Sequence, residues 1–177
     1  NSTNYIDYNN TKRKRTTINL DYANAFDENS KIEFGLQANL FNSLIGYAST
    51  GETYAISGNL VPTPDSDFEY TRNIYSLYGN YNKKINEKWS YQMGLRLENV
   101  NVTASEVKTS QPDTTISETP FSNDYFEFYP SAYITYAPSE INSFQLNYSR
   151  RIDRPGIGQV NPIKEWSTPL VSSYGNI

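Results

Sequence analysis

Residues 89–98, WSYQMGLRLE, alternate without a break. Trp89, Tyr91, Met93, Leu95 and Leu97 fall on one side, and Ser90, Gln92, Gly94, Arg96 and Glu98 on the other. A period of two marks a β-strand with one apolar and one polar face. Ten residues also suffice to cross a bilayer as a tilted strand.

Five further segments flank this one. In Lys31–Leu40, Ile32, Phe34, Leu36, Ala38 and Leu40 oppose Lys31, Glu33, Gly35, Gln37 and Asn39. Ile18, Leu20 and Tyr22 oppose Thr17, Asn19 and Asp21, while Phe144, Leu146 and Tyr148 oppose Gln145, Asn147 and Ser149. In Tyr125–Tyr136, Phe126, Phe128, Ala132, Ile134 and Tyr136 oppose Glu127, Ser131 and Thr135. Only Asn73–Asn82 is ambiguous, because Tyr75, Leu77, Gly79 and Tyr81 are barely greasier than Ile74, Ser76 and Tyr78.

The links between these segments alternate in length. Asp27–Ser30, Lys83–Lys88 and Pro138–Asn142 read as tight polar turns, whereas Ser43–Asp67, Ala104–Asp124 and Asp153–Ile177 read as long polar excursions. An antiparallel meander with short turns at one end and long loops at the other is the pattern of a transmembrane β-barrel. The fold expected is all-β: an up-and-down meander of about six strands over 1–177, three hairpins forming part of a larger barrel. The Ser-, Thr- and Asp-rich stretch Ala104–Asp124 is expected to be a mobile outer loop. Trp89, Tyr22, Tyr136 and Tyr148 near strand ends suit interfacial aromatic girdles, although strand propensity alone favours aromatics.

Composition narrows the field. The hydrophobic share is 37% with a mean hydropathy of -0.69, below the roughly 45–50% usual for globular domains. Yet 15% of residues are aromatic, including 16 Tyr and 8 Phe, which is the opposite of a disordered composition. A barrel with one greasy face and a wet interior reconciles the two. The net charge of -4 and pI near 4.9 argue against nucleic acid as a partner. With neither His nor Cys, a Ser-His or Cys-His catalytic pair is excluded, and no enzymatic activity or cofactor is expected. No apolar run approaches the roughly 20 residues of a membrane helix.

Three motifs carry a family resemblance. Ser149-Arg150-Arg151-Ile152-Asp153-Arg154-Pro155, followed by Asn161-Pro162 and Gly175-Asn176, resembles the SRRIxRP…LNP…GN stretch of TonB-dependent outer-membrane receptors. The likeness is to the outer membrane protein beta-barrel family best known from Bacteroidota. Gly94-Leu95-Arg96-Leu97-Glu98 looks like its GLRxE strand, and Tyr129-Pro130-Ser131-Ala132 like its FPSA strand entry. Val160, Ile163 and Ile177 depart from the pattern. The resemblance implies a bacterial outer-membrane location, a barrel of about 22 strands around a plugged lumen, and TonB as a partner. It also implies that these residues are an internal part of a longer polypeptide whose plug and TonB-contacting segment lie elsewhere. The three arginines would then belong to a recurrent structural corner; from physics alone they could equally meet an anionic ligand.

Other candidates follow from residue chemistry. Lys31, Glu33, Arg96 and Glu98 are expected to face the lumen, as a substrate path or as a structural charge ladder. Lys12, Arg13, Lys14 and Arg15 precede the first predicted strand and so fall at the outer rim. There they could contact lipopolysaccharide phosphates or stand as a solvated run. Asp65, Asp67 and Glu69, two apart in a predicted loop, are weak candidates for a calcium site against an ordinary turn.

The leading functional expectation is barrel wall and outer loops of a receptor that takes up a nutrient. Its partners would be outer-membrane lipid, the rest of its own barrel and plug, and a surface lipoprotein or larger envelope complex. The alternatives are a barrel without transport that serves as a structural component of an envelope assembly, and a soluble glycan-binding β-sandwich.

Overall fold

The computed structural model describes residues 5–54, 58–110, 115–168 and 171–175. Strands β1 (Asp7–Asp27) and β2 (Ser30–Ser49) form the first hairpin, and β3 (Glu52–Tyr54) with β4 (Leu60–Pro62) a small ladder beyond it. Then come β5 (Asp65–Lys84), β6 (Trp89–Ser110), β7 (Thr115–Tyr136) and β8 (Phe144–Ser149). One helical turn, α1 (Ile157–Val160), and the short pair β9 (Glu165–Thr168) and β10 (Val171–Ser173) follow. The six long-range strands make one antiparallel sheet in the order β1-β2-β5-β6-β7-β8. This is the predicted meander, with the three tight turns at one end. The sheet is open, since β1 and β8 do not pair.

β1, β2, β5, β6 and β7, of 20–22 residues each, are about twice as long as expected or longer, whereas β8, with 6, is as short as expected. β6 and β7 each run for 22 residues, and they pair continuously from Trp89↔Tyr136 to Ser110↔Thr115. The predicted loop Ala104–Asp124 is therefore mostly hairpin; of it, only 111–114 lie outside the described residues. Likewise β2 continues to Ser49 and β5 starts at Asp65, which leaves little of the excursion Ser43–Asp67 outside the ladders. The physical reason is a change of phase. Up to Leu97 the odd positions of β6 are apolar, but from Val100 the even ones are: Val100, Val102 and Ala104 oppose Asn99, Asn101 and Thr103. Pairing with β5 passes through this point without a register shift, so the apolar residues move to the other face of the same strand.

Register then defines two halves. In the turn-end half, one face presents Ile18, Leu20, Phe34, Leu36, Leu77, Leu95 and Phe128, all exposed. The ambiguous segment Asn73–Asn82 resolves here: Tyr75 and Leu77 join this apolar face, while Ser76 and Tyr78 join the polar one. In the far half, the opposite face carries the core: Ile45, Tyr47, Phe68, Tyr70, Val100, Val102 and Ala104. The chain after β8 folds back over this face and seats Val160 and Ile163 in that core, with Ile157 beside them. Burying a side chain such as Phe68, 1% exposed, contributes about 1.5–3 kcal/mol.

A charge belt across the polar face as candidate functional site

Two adjacent cross-strand rows build the site. The first runs Asp21, Gly35, Tyr78, Arg96, Tyr129, and the second Asn19, Gln37, Ser76, Glu98, Glu127. Alternation places all ten on the polar face. The second row sets two carboxylates, Glu98 and Glu127, directly opposite each other, a destabilising arrangement unless cations intervene.

Three arginines intervene. Arg96 Nε donates to Glu98 Oε1 at 2.6 Å, and Arg154 Nη2 donates to Glu98 Oε2 at 2.5 Å. Arg150 Nη2 donates to Glu127 Oε2 at 2.5 Å and its Nη1 to the Phe128 carbonyl at 2.7 Å. Charge-assisted hydrogen bonds of this length are the strong class. Glu98 is 5% exposed, so its carboxylate is buried while the Arg154 guanidinium that pairs with it is mostly buried. Arg154 also reaches the hydroxyls of Tyr125 and Tyr129, each at 3.2 Å. The arginine therefore pins the returning chain to β6 and β7.

On the other side of Arg96 the belt extends to β1. Its Nη2 donates to Gln37 Oε1 at 2.5 Å and Ser76 Oγ at 2.8 Å, and its guanidinium lies 5.4 Å from the Tyr78 ring centroid. That ring crosses β2 above Gly35 and its hydroxyl donates to Asp21. A Cβ at Gly35 would collide with the Tyr78 ring at Cζ. Gly35 is thus the gap that lets a β5 side chain reach β1.

The motif residues acquire individual roles. A Cβ on Gly94 would lie 2.5 Å from Asn80 Oδ1 and 2.6 Å from Ser131 Oγ, so glycine leaves room for the polar neighbours of the belt. The Pro130 carbonyl accepts from the Arg150 N–H at 3.1 Å, just past Ser131↔Ser149, where β8 stops pairing. In an antiparallel ladder a residue's N–H and C=O point to the same neighbour, so the missing proline N–H falls on the β8 side and spares the β6–β7 ladder. The Pro155 carbonyl accepts from Arg72 Nη1 at 3.3 Å. The Asn161 carbonyl accepts from the Gly175 N–H at 2.6 Å, with Pro162 beside it. A Cβ on Gly175 would lie 2.5 Å from the Gln159 carbonyl oxygen. Arg151 is exposed and pairs with no described carboxylate, and Asn176 lies outside the described residues.

The other sequence candidates separate. Lys31 and Glu33 form an ion pair on the polar face, near the turn end. There a cavity of about 450 Å³ is lined by Lys31, Asn82, Gln92, Tyr133, Thr135 and Gln145. Lys12–Arg15 do not precede the strand: they lie inside β1, opposite Leu44, Ser43, Asn42 and Phe41. The pleat splits them, Lys12 and Lys14 to one face and Arg13 and Arg15 to the other, so they are not one cluster. Asp65, Asp67 and Glu69 lie on β5 instead of a loop, and Glu69 accepts from Asn42 Nδ2 at 3.2 Å. Among the described residues no group of three or more acidic side chains is placed to hold a metal ion. Sequence reasoning missed Asp21, Tyr78, Tyr125 and Glu127. Gly35 inside a strand was the available signal for close approach.

No curated protein matches this chain. A family's sequence model matches residues 1–177, which include the whole meander and the motif-built belt, and the chain belongs to the outer membrane protein beta-barrel family.

Proposed function

We propose that these strands are wall and outer hairpins of a TonB-dependent receptor in the bacterial outer membrane, which captures a nutrient and passes it through a gated lumen. The observation that carries this reading is the convergence of the motif residues. Arg96, Glu98, Arg150 and Arg154 meet in one belt on the polar face, with Glu98 and its partner Arg154 56 residues apart in sequence. Two features support the wall role. The apolar face of the turn-end half is exposed, as lipid contact requires, and the open edge of β1 suits further strands, because unpaired edges are a liability. The plug and the TonB-contacting segment are supplied by the rest of the polypeptide. The chemistry is binding and conformational gating, without a covalent step.

The test is fractionation of cells expressing the whole polypeptide, followed by capture with the periplasmic domain of TonB. Outer-membrane location, slower migration after boiling and TonB capture are the expected results. A soluble periplasmic product would overturn the barrel. A heat-modifiable outer-membrane barrel that fails to capture TonB would instead favour a structural role in an envelope assembly.

A further inference from the structure

Between the returning chain and the far half of the polar face lies a cavity of about 230 Å³. Its roof is Arg154, Pro155 and Val160, and its walls include Tyr70, Phe121 and Tyr125, with Arg72 and Asn123 supplying polar atoms. Drug-sized ligands occupy roughly 300–1,000 Å³, so this space suits a single compact ring.

The charges around it are unbalanced. Arg96, Arg150 and Arg154 each have a carboxylate partner. Arg72 has none among the described residues; it donates to the Pro155 carbonyl and lies 5.9 Å from the Phe41 ring centroid. Arg15 approaches the same ring at 5.4 Å, and neither it nor Arg13, one row further on, forms an ion pair with a described residue. The belt carboxylate Glu98 is already shared by two guanidiniums, and Glu106, on the same face beyond Ala104, is paired with Lys108. Arginine presents planar paired donors matched to a carboxylate, and aromatic walls favour a ring's faces.

We infer that this cavity is a binding subsite for a small ring carrying one carboxylate, the carboxylate seated on Arg72 and the ring held among Tyr70, Phe121 and Tyr125. This deepens the uptake reading and rests on it, because the polar face must then be a lumen that solutes reach.

The experiment is calorimetric titration of the detergent-extracted whole protein with benzoate and with D-glucuronate, alongside neutral benzyl alcohol and glucose. At least one carboxylate binds saturably, and its neutral counterpart binds at least tenfold more weakly. The benzoate and glucuronate arms distinguish a flat aromatic ring from a sugar ring. Arg72→Gln loses about tenfold or more in affinity and Arg72→Lys recovers part of it, while both variants keep heat-modifiable migration and trypsin resistance. Equal binding of the neutral compounds, unchanged affinity in Arg72→Gln, or no saturable binding by either carboxylate would overturn the subsite. Binding in detergent requires neither TonB nor transport, so such a failure leaves the barrel standing, whereas a soluble periplasmic product removes the uptake reading whatever the titration gives.

Discussion

The two halves of this sheet share one unbroken hydrogen-bond ladder and bury opposite faces. In the turn-end half Leu20, Leu36, Leu77 and Leu95 point away from any protein partner, at 67%, 52%, 49% and 46% exposure. In the far half Phe68 and Val100 are 1% and 0% exposed on the other face, under the returning chain. The backbone cannot distinguish these halves, since pairing of β5 with β6 continues through both. What differs is the solvent each face is built for. A contiguous apolar surface of this size in water marks an interaction site or an aggregation hazard, but against lipid it carries no such penalty. Beyond the crossover the same surface of β6 turns polar at Asn99, Asn101 and Thr103, and the apolar core moves to the inner face. The belt of Arg96, Glu98 and Arg154 sits near the crossover, joining the wall to the element that covers the far core.

The contrast can be broken experimentally, most strongly at the belt. Replacing Glu98 with Leu strands Arg96 and Arg154 without their carboxylate, and removing one partner of a buried pair costs about 3–5 kcal/mol. Hydrogen exchange should report the loss as deprotection of residues 150–163, with the turn-end hairpins unchanged. Phe68→Ala should cost a similar 3–5 kcal/mol through the cavity it leaves. Leu95→Ala, facing lipid, should cost less than half as much in the same denaturant titration. Equal costs would mean that the two faces are not built for different surroundings. The third comparison uses charge. Leu95→Arg should cost about 2–4 kcal/mol in a bilayer, whereas Thr103→Arg, on the same face of the same strand but in the far half, should be close to neutral. A penalty at Thr103 would move the lipid boundary beyond the crossover.

The same crossover explains what was legible in the sequence. Trp89–Glu98 and Lys31–Leu40 keep one phase, so their strand character, their faces and the meander could be read directly. The strand ends could not, because Val100, Val102 and Ala104 reverse the phase of Leu95 and Leu97, and a search for constant alternation stops there. The far-half polar residues then read as loop, although Val107, Thr109 and Ile116 are strand formers. The site was half legible. Gly94, Arg96, Glu98, Arg150 and Arg154 were recognisable as a recurrent set, but the partnership of Glu98 with Arg154 spans 56 residues and no local rule predicts it. Glu127 was read only as a polar-face residue; its need for Arg150 appears once register puts it opposite Glu98. The run Lys12–Arg15 was read as one patch because adjacent letters look adjacent, whereas a strand sends neighbours to opposite faces.

The smallest expected effect lies at the turn end, where the first hairpin closes. Asp27 Oδ1 accepts from the Asn29 N–H at 2.7 Å, and the Ser30 hydroxyl lies 2.8 Å from both carboxylate oxygens. The Ser30 hydroxyl, and after it the Asn29 N–H, hold the Asp27 carboxyl below its ordinary pKa, since both bond the charged form. The sign of the linkage follows. A depressed folded-state pKa gives stability that is present above the unfolded value, about 3.9, and lost as the pH falls through the lower folded value. Asp27→Asn keeps an oxygen acceptor for the turn and removes the titration, so its stability should stay flat over that acid window while the parent protein declines. The carboxylate is solvent-exposed, so the difference should be a modest shift in the acid midpoint of hairpin protection, read by hydrogen exchange at Asn29 and Ser30. A parent profile as flat as that of Asp27→Asn would show that the turn is held by its backbone alone.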